Sequence, residues 1–173
     1  MLFAFVTGVI PVDVALGAAT FHFGDHFVFY DAISYNQSHY DDNYSTVTGG
    51  VSTVVPISGK QVPVVPNWLN KFILSTNWDG FEAQVNGDFI GRRYATYTND
   101  IKVGSAFLTG LEASYTFDDG LVDFVKKLKI SGNITNLADI KGVSTISVTS
   151  PSGGFQGFPI PPRMFFVTIG AAL

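Results

Sequence analysis

The sequence predicts an all-β chain of antiparallel strands with the period, length and loop pattern of a transmembrane β-barrel wall. Three observations point there. Apolar residues recur at every second position in several segments. Short Asp-Gly-type turns alternate with long polar connections. Hydrophobic residues make up 46% of the 173 positions and charged residues only 14%, well under the roughly 25% of a typical soluble domain. That balance, with 16 Phe and 7 Tyr, weighs against a disordered chain, a coiled coil or an ordinary soluble enzyme surface. The chain has no Cys, which excludes a disulfide scaffold, a thiol nucleophile and a Cys-ligated zinc site. The net charge of −4 comes without the basic stripe of a nucleic-acid binder.

A spanning helix needs about 20 consecutive apolar residues. The best run, Met1 to Val12, stops at Asp13 well short of that. It resembles part of a signal peptide, with Ala15-Leu16-Gly17-Ala18-Ala19 as a cleavable stretch, but no Lys or Arg precedes it. Strands remain as the way to cross.

The strands follow in order. Val12 to Phe23 and His26 to Asn36 are both expected to be strands, the second without a clear polar face. Leu69 to Asp79 sets Phe72, Leu74, Thr76 and Trp78 against Lys71, Ser75, Asn77 and Asp79. The clearest alternation is Phe81 to Arg93. Phe81, Ala83, Val85, Gly87, Phe89 and Gly91 oppose Glu82, Gln84, Asn86, Asp88 and Arg92, with Ile90 the single exception. At roughly 3.3 Å per residue and a tilt near 45°, that segment rises about 30 Å, enough to cross a membrane. Phe107 to Phe117 reads as the next strand. In Lys127 to Asn136, Leu128, Ile130, Gly132 and Ile134 alternate with polar residues. The last strand sets Phe165, Val167, Ile169, Ala171 and Leu173 against Phe166, Thr168, Gly170 and Ala172.

Gly24-Asp25, Asp79-Gly80 and Asp118-Asp119-Gly120 mark short turns. Residues 37–68, 94–106 and 137–162 are long and rich in Gly, Pro, Ser and Asn. Aromatic residues flank each short turn, including Phe23, Phe27, Trp78, Phe81, Tyr115 and Phe117. Short periplasmic turns, long extracellular loops and aromatic girdles are the pattern of outer-membrane barrels. Seven strands is an odd count, whereas bacterial single-chain barrels have even numbers. Either Met1 to Ile10 adds a strand or, as the preferred expectation, the chain is a segment of a larger barrel. Lipid leaves no water to satisfy an open edge, so seven strands of a wide barrel are not expected to insert alone.

Four stretches carry a family resemblance. They are Gly59-Lys60-Gln61-Val62-Pro63 with Val65-Pro66-Asn67-Trp68; Gly91-Arg92-Arg93-Tyr94 with Thr96-Tyr97-Thr98-Asn99-Asp100; Gly132-Asn133-Ile134-Thr135-Asn136-Leu137-Ala138-Asp139; and Pro161-Pro162-Arg163. In this order, over residues 30–173, they resemble the C-terminal β-barrel portion of a TonB-dependent outer-membrane receptor. The resemblance implies a barrel of about 22 strands, of which residues 1–173 are a C-terminal segment. It also implies a bacterial outer-membrane location and energised uptake of a scarce solute such as a siderophore or carbohydrate. The plug domain and the N-terminal segment that meets TonB have no counterpart in these residues. Leu173 also departs from the aromatic residue with which outer-membrane proteins usually end. The partners implied are outer-membrane lipid and lipopolysaccharide, the remainder of the barrel and the plug, and TonB through the missing N-terminal part. No nucleic acid is expected.

Candidate ligand contacts lie in the long loops, Tyr40, Asp41, Asp42 and Tyr44 in the first and Tyr94, Tyr97, Asn99 and Asp100 in the second, and at the outer strand end, where Arg92 and Arg93 are candidates for contact with an anionic ligand or a lipopolysaccharide phosphate. Aromatic rings stack on a solute and acids hydrogen-bond it, and function concentrates in large loops. Loop packing and interface anchoring are the competing roles, and adjacent Arg92 and Arg93 point to opposite sides. Glu82, Gln84, Asn86 and Asp88 are expected to face the lumen, in contact with plug or solute, or simply hydrated. Neither a cofactor nor a metal is expected, since Asp41-Asp42-Asn43 lacks the spacing and Gly of a calcium loop. Nor is catalysis: His22, His26 and His39 form no helical ligand pair, and there is no nucleophile elbow or phosphate loop. The alternatives are a free-standing small outer-membrane barrel with a structural or adhesive role and, more distantly, a soluble β-sandwich.

Overall fold

A computed structural model describes residues 12–118, 125–149 and 154–172. Among them there is no helix. Seven long strands form one antiparallel sheet: β1 (Val12–Phe23), β2 (Phe27–Ser38), β5 (Trp68–Trp78), β6 (Phe81–Ile90), β9 (Ala106–Phe117), β10 (Lys127–Thr135) and β13 (Met164–Ala172). Their spatial order is β1-β2-β5-β6-β9-β10-β13, so each long strand pairs with the next one along the chain. All seven expected strands are present, with ends within a few residues of those read from the alternation. The proposed eighth strand at Met1 to Ile10 lies outside the described residues.

The long loops hold more structure than the sequence suggests. Three two-stranded ribbons project from one end of the sheet: β3 (Tyr44–Thr48) with β4 (Val51–Val55), β7 (Arg93–Tyr94) with β8 (Lys102–Val103), and β11 (Val143–Val148) with β12 (Phe155–Pro159). Arg93 therefore belongs to a loop ribbon and not to β6. The long strand ends at Ile90, and just beyond it the Gly91 amide still donates to the Trp68 carbonyl (2.8 Å).

At the other end the β1–β2 and β5–β6 connections are tight, whereas Asp119 and Gly120 of the third expected turn lie outside the described residues. Asp79 and Gly80 both have positive φ (46° and 78°), as in the type I′ turn favoured by Asp-Gly hairpins. A Cβ at Gly80 would sit 2.6 Å from the Thr116 carbonyl oxygen. Only glycine fits here without displacing the backbone.

Continuous register separates two faces. Phe27↔Thr76, Leu74↔Val85 and Phe81↔Tyr115 are pairs on one face. This face is apolar across the whole sheet, and Phe21, Trp78, Phe165, Val167 and Ile169 are all at least half exposed on it. Aromatic rings run across it from strand to strand, Phe21–Phe29 (6.3 Å), Phe29–Phe72 (6.3 Å) and Phe72–Phe107 (6.1 Å). The Phe72 ring covers Gly87 on the neighbouring strand, where an added Cβ would lie 2.2 Å from it. One polar pair interrupts this face. Asn70 donates to Asp31 (2.7 Å) and to the Ala32 carbonyl (3.1 Å), so the two side chains satisfy each other. Asp31 among apolar residues, with Val28 and Ala32 opposite, is why the faces of β2 were not separable in the sequence.

The opposite face carries Glu82, Gln84, Asn86 and Asp88 together, as the alternation implied. Near the short turns it is knit by Lys129 Nζ to Glu82 Oε2 (2.7 Å) and Ser114 Oγ to the same oxygen (3.2 Å).

Candidate functional site

The loop end of the sheet is where the candidate residues gather, and it is also where the buried residues are. Ile57, Ala95, Ile146 and Ile160 are each at most 5% exposed, as are Arg93 and Thr96. These residues come from all three long loops, so the loops pack into one layer with its own small core.

The first and second loops are joined by Asn99. Its left-handed backbone (φ 59°) turns the side-chain amide toward Gln61. Asn99 Oδ1 accepts from the Gln61 amide (2.7 Å) while Nδ2 donates to the Gln61 carbonyl (2.8 Å). The Val64 amide donates to the Tyr94 carbonyl (2.8 Å), and the Tyr40 and Tyr97 rings stack at 6.0 Å. Burial, followed by the nearby Tyr97, pushes the Tyr40 hydroxyl up to about 12. Asp100 closes its own turn, with Oδ1 accepting from the hydroxyls of Thr96 and Thr98. Those two hydrogen bonds hold its carboxyl below the usual carboxylate range.

The second and third loops are joined by Arg93, which is 4% exposed. Its Nη2 donates to the carbonyls of Ser144 (2.6 Å) and Val143 (3.1 Å). Burial lowers its pKa. The third loop is fixed by Asn136, again left-handed (φ 48°). Asn136 Nδ2 donates to the carbonyls of Pro161 (2.9 Å) and Ile140 (3.0 Å), and Oδ1 accepts from the Ile140 amide (2.9 Å). Asp139 Oδ1 accepts from Lys141 Nζ (2.8 Å) and from the Arg163 amide (3.3 Å). Lys141 first, then the Arg163 amide, keep that carboxyl low.

The sequence-derived ligand candidates thus divide. Tyr40, Asn99 and Asp100 are engaged in holding the loops. Tyr97 stacks on Tyr40, and the half-buried Tyr94 has Lys102 Nζ 5.8 Å from its ring centre. Asp41, Asp42 and Arg92 are exposed. Asp41 stands 3.9 Å from the His39 ring nitrogen, and Arg92 has no hydrogen bond or ion pair among the described residues. Tyr44 opens β3 and is half-buried.

Gln61 and Asn136 are not among those candidates, yet with Arg93, whose guanidinium binds the Val143 and Ser144 carbonyls and not an outer anion, they hold the layer together. The signal for them was present. The four stretches that carry the family resemblance meet in pairs: Gln61 with Asn99, and Asn136 and Asp139 with Pro161 and Arg163.

No family model matches this chain, and no curated protein matches it. Among solved structures it is similar to the siderophore receptor PiuA from Acinetobacter baumannii, with a TM-score of 0.73 and 17% identity. The match covers 91% of this chain and 21% of the receptor chain, so these residues span about a fifth of that protein's length. At this identity the likeness is one of fold: the seven-stranded antiparallel sheet of this chain is similar to a segment of that receptor's structure.

Proposed function

We propose that the chain is a wall segment of an outer-membrane receptor barrel that takes up a scarce solute, with residues 1–173 forming its C-terminal part. A single observation carries the reading: one face of the sheet is apolar except for the mutually bonded Asp31–Asn70 pair, while the charged and amide side chains of β6 gather on the other. An antiparallel sheet with a wide exposed apolar face needs lipid or another apolar layer against it. In this reading the polar face, with Glu82, Gln84, Asn86 and Asp88, lines the lumen. The loop layer faces outward and offers Asp41, Asp42, Arg92, Tyr44, Tyr94 and Tyr97 to a solute. Energy coupling through TonB and a plug domain belongs to the rest of such a receptor. Among the described residues β1 and β13 are paired on one side only. This favours a larger barrel over a free-standing small one, because an open edge is not tolerated in lipid.

Single cysteines along β6, tested in intact outer membranes with a water-soluble maleimide, check this. Gln84→Cys and Asn86→Cys are expected to label, and Ala83→Cys and Val85→Cys to stay protected until detergent is added. Equal labelling of both sets, or recovery of the protein in the soluble fraction, contradicts the proposal.

A further inference from the structure

The polar face is not uniform. Register places Leu16, Ser34, Leu69, Ile90 and Ala106 in one row across five strands, beside the loop layer. The next row is Ala18, Ala32, Lys71, Asp88 and Leu108. Ile90, the one break in the alternation of β6, is thus part of a contiguous apolar patch. The patch lines a groove of about 690 Å³, within the roughly 300–1,000 Å³ of small-molecule sites. Near the short turns the same face holds a smaller, polar groove of about 350 Å³ lined by Asn77, Glu82, Gln84 and Glu112.

The ionic groups beside the patch select among occupants. Lys71 Nζ and Asp88 Oδ1 stand 3.6 Å apart, with side chains 56% and 39% exposed. This is longer than a direct charge-assisted hydrogen bond of about 2.7–2.9 Å, so both groups keep donors and acceptors free. Their charges sum to zero. A solute with a single charge would gain from one and be repelled by the other, whereas an ammonium and a carboxylate side by side satisfy both. We infer that this groove takes a small zwitterionic solute with an apolar body, such as an apolar amino acid or short peptide. Its body lies on Leu69, Ile90 and Leu108, its carboxylate on Lys71 and its ammonium on Asp88. The inference rests on the polar face being the lumen of a receptor wall, and places the groove beside the mouth formed by the loops.

The test uses the full-length protein in outer-membrane vesicles and two photoreactive probes. Benzophenone partitions into lipid and is expected to label the apolar face around Phe72, Leu74 and Phe107. 4-Benzoylphenylalanine, the same apolar body with an ammonium and a carboxylate, is expected to label peptides carrying Leu16, Leu69 or Leu108. Leu69→Asn with Leu108→Asn removes the apolar floor and should lower that labelling about tenfold or more. Lys71→Met with Asp88→Leu keeps the floor and should weaken 4-benzoylphenylalanine while leaving benzophenone labelling unchanged. The inference is overturned if the zwitterionic probe misses these peptides while benzophenone marks the apolar face. A groove left unlabelled because another part of the polypeptide covers it overturns it equally, as does indifference to the Lys71–Asp88 change. Failure of benzophenone to mark the apolar face instead refutes the membrane-wall reading, and so separates the two.

Discussion

The sheet and the loop layer above it are stabilised in opposite ways. The sheet has a complete backbone ladder but almost no buried side chains: Phe21, Trp78, Phe165 and Val167 are each at least 50% exposed. An apolar face this exposed calls for another apolar layer against it. The loop layer has irregular backbone, yet it buries Ile57, Ala95, Ile146 and Ile160 and pairs much of its buried polar backbone internally, while Arg93 Nη1 and Ser38 Oγ are buried without a hydrogen-bond partner. Buried loop backbone must find partners or lose about 1–3 kcal/mol per unpaired group, and Asn99, Asn136 and Arg93 supply those partners. The same chain therefore combines a wall that depends on its surroundings with a cap that carries its own core.

The most severe way to break this contrast is to place a charge on the apolar face. Leu74 sits midway along β5, 42% exposed and paired with Phe29 and Val85. Leu74→Arg should cost about 2–4 kcal/mol, the range for Arg or Lys near the bilayer midplane. Urea unfolding of the protein in lipid vesicles measures it. Ser75→Arg, one residue on and facing the other way, should stay within about 0.5 kcal/mol. If both variants cost the same, the two faces do not differ in environment.

The next largest effect belongs to the loop layer. Asn136→Ala strands the Ile140 amide and the carbonyls of Ile140 and Pro161, and puts a Cβ residue without a local hydrogen bond at φ 48°. A loss of about 1–3 kcal/mol is expected, confined to the third loop. Hydrogen exchange should accelerate at Ile140 while β10 amides keep their protection. Asn99→Ala breaks both bonds to Gln61 and should cost somewhat less, about 1–2 kcal/mol, because Gln61 is only half-buried and water replaces part of the loss. Faster proteolysis of residues 37–68 and 91–105 with an intact sheet is the expected readout. Loss of sheet protection in either variant would show that the cap and wall are one cooperative unit.

How much of this was legible in the sequence follows the same division. The seven long strands were readable because a two-residue period and Asp-Gly turns are local signals, and β6 shows both. The face of β2 was not readable, since Asp31 lies on the apolar side and its partner Asn70 is 39 residues away. The loop layer was the least readable part. Its contacts join Gln61 to Asn99 and Arg93 to Ser144, 38 and 51 residues apart, and no periodicity encodes such pairs. Composition marked the loops as polar, so Tyr40, Asn99 and Asp100 read as ligand contacts. Their geometry shows what else such residues do, which is to satisfy a buried irregular backbone. Ile90 was visible as an exception and became interpretable only when register set it beside Leu69 and Ala106.

The gentlest test uses pH, because the resolved shifts in the loop layer act at both extremes. The Tyr40 hydroxyl is raised from 10.0 to about 12, so the folded layer holds that proton more tightly than the unfolded chain. Its contribution is fully present below pH 10 and is lost as pH rises toward about 12. The carboxyls of Asp100 and Asp139 are lowered from 3.8, which is the opposite case. Their contribution is present above that value and lost as pH falls below it through the folded-state values. Both carboxylates are solvent-exposed, so the acid effect should be the smaller of the two. The loop layer should therefore loosen at both ends of the scale while the sheet ladder, held by backbone bonds, does not follow. Hydrogen exchange of Ala95 and Gln61 against β5 amides reports the difference, with tyrosinate absorbance marking the alkaline step. In Tyr40→Phe the alkaline loosening should disappear and the acid loosening should remain. An alkaline step that persists in that variant would assign it to another group and leave the stacked Tyr40–Tyr97 pair without a role in holding the first two loops together.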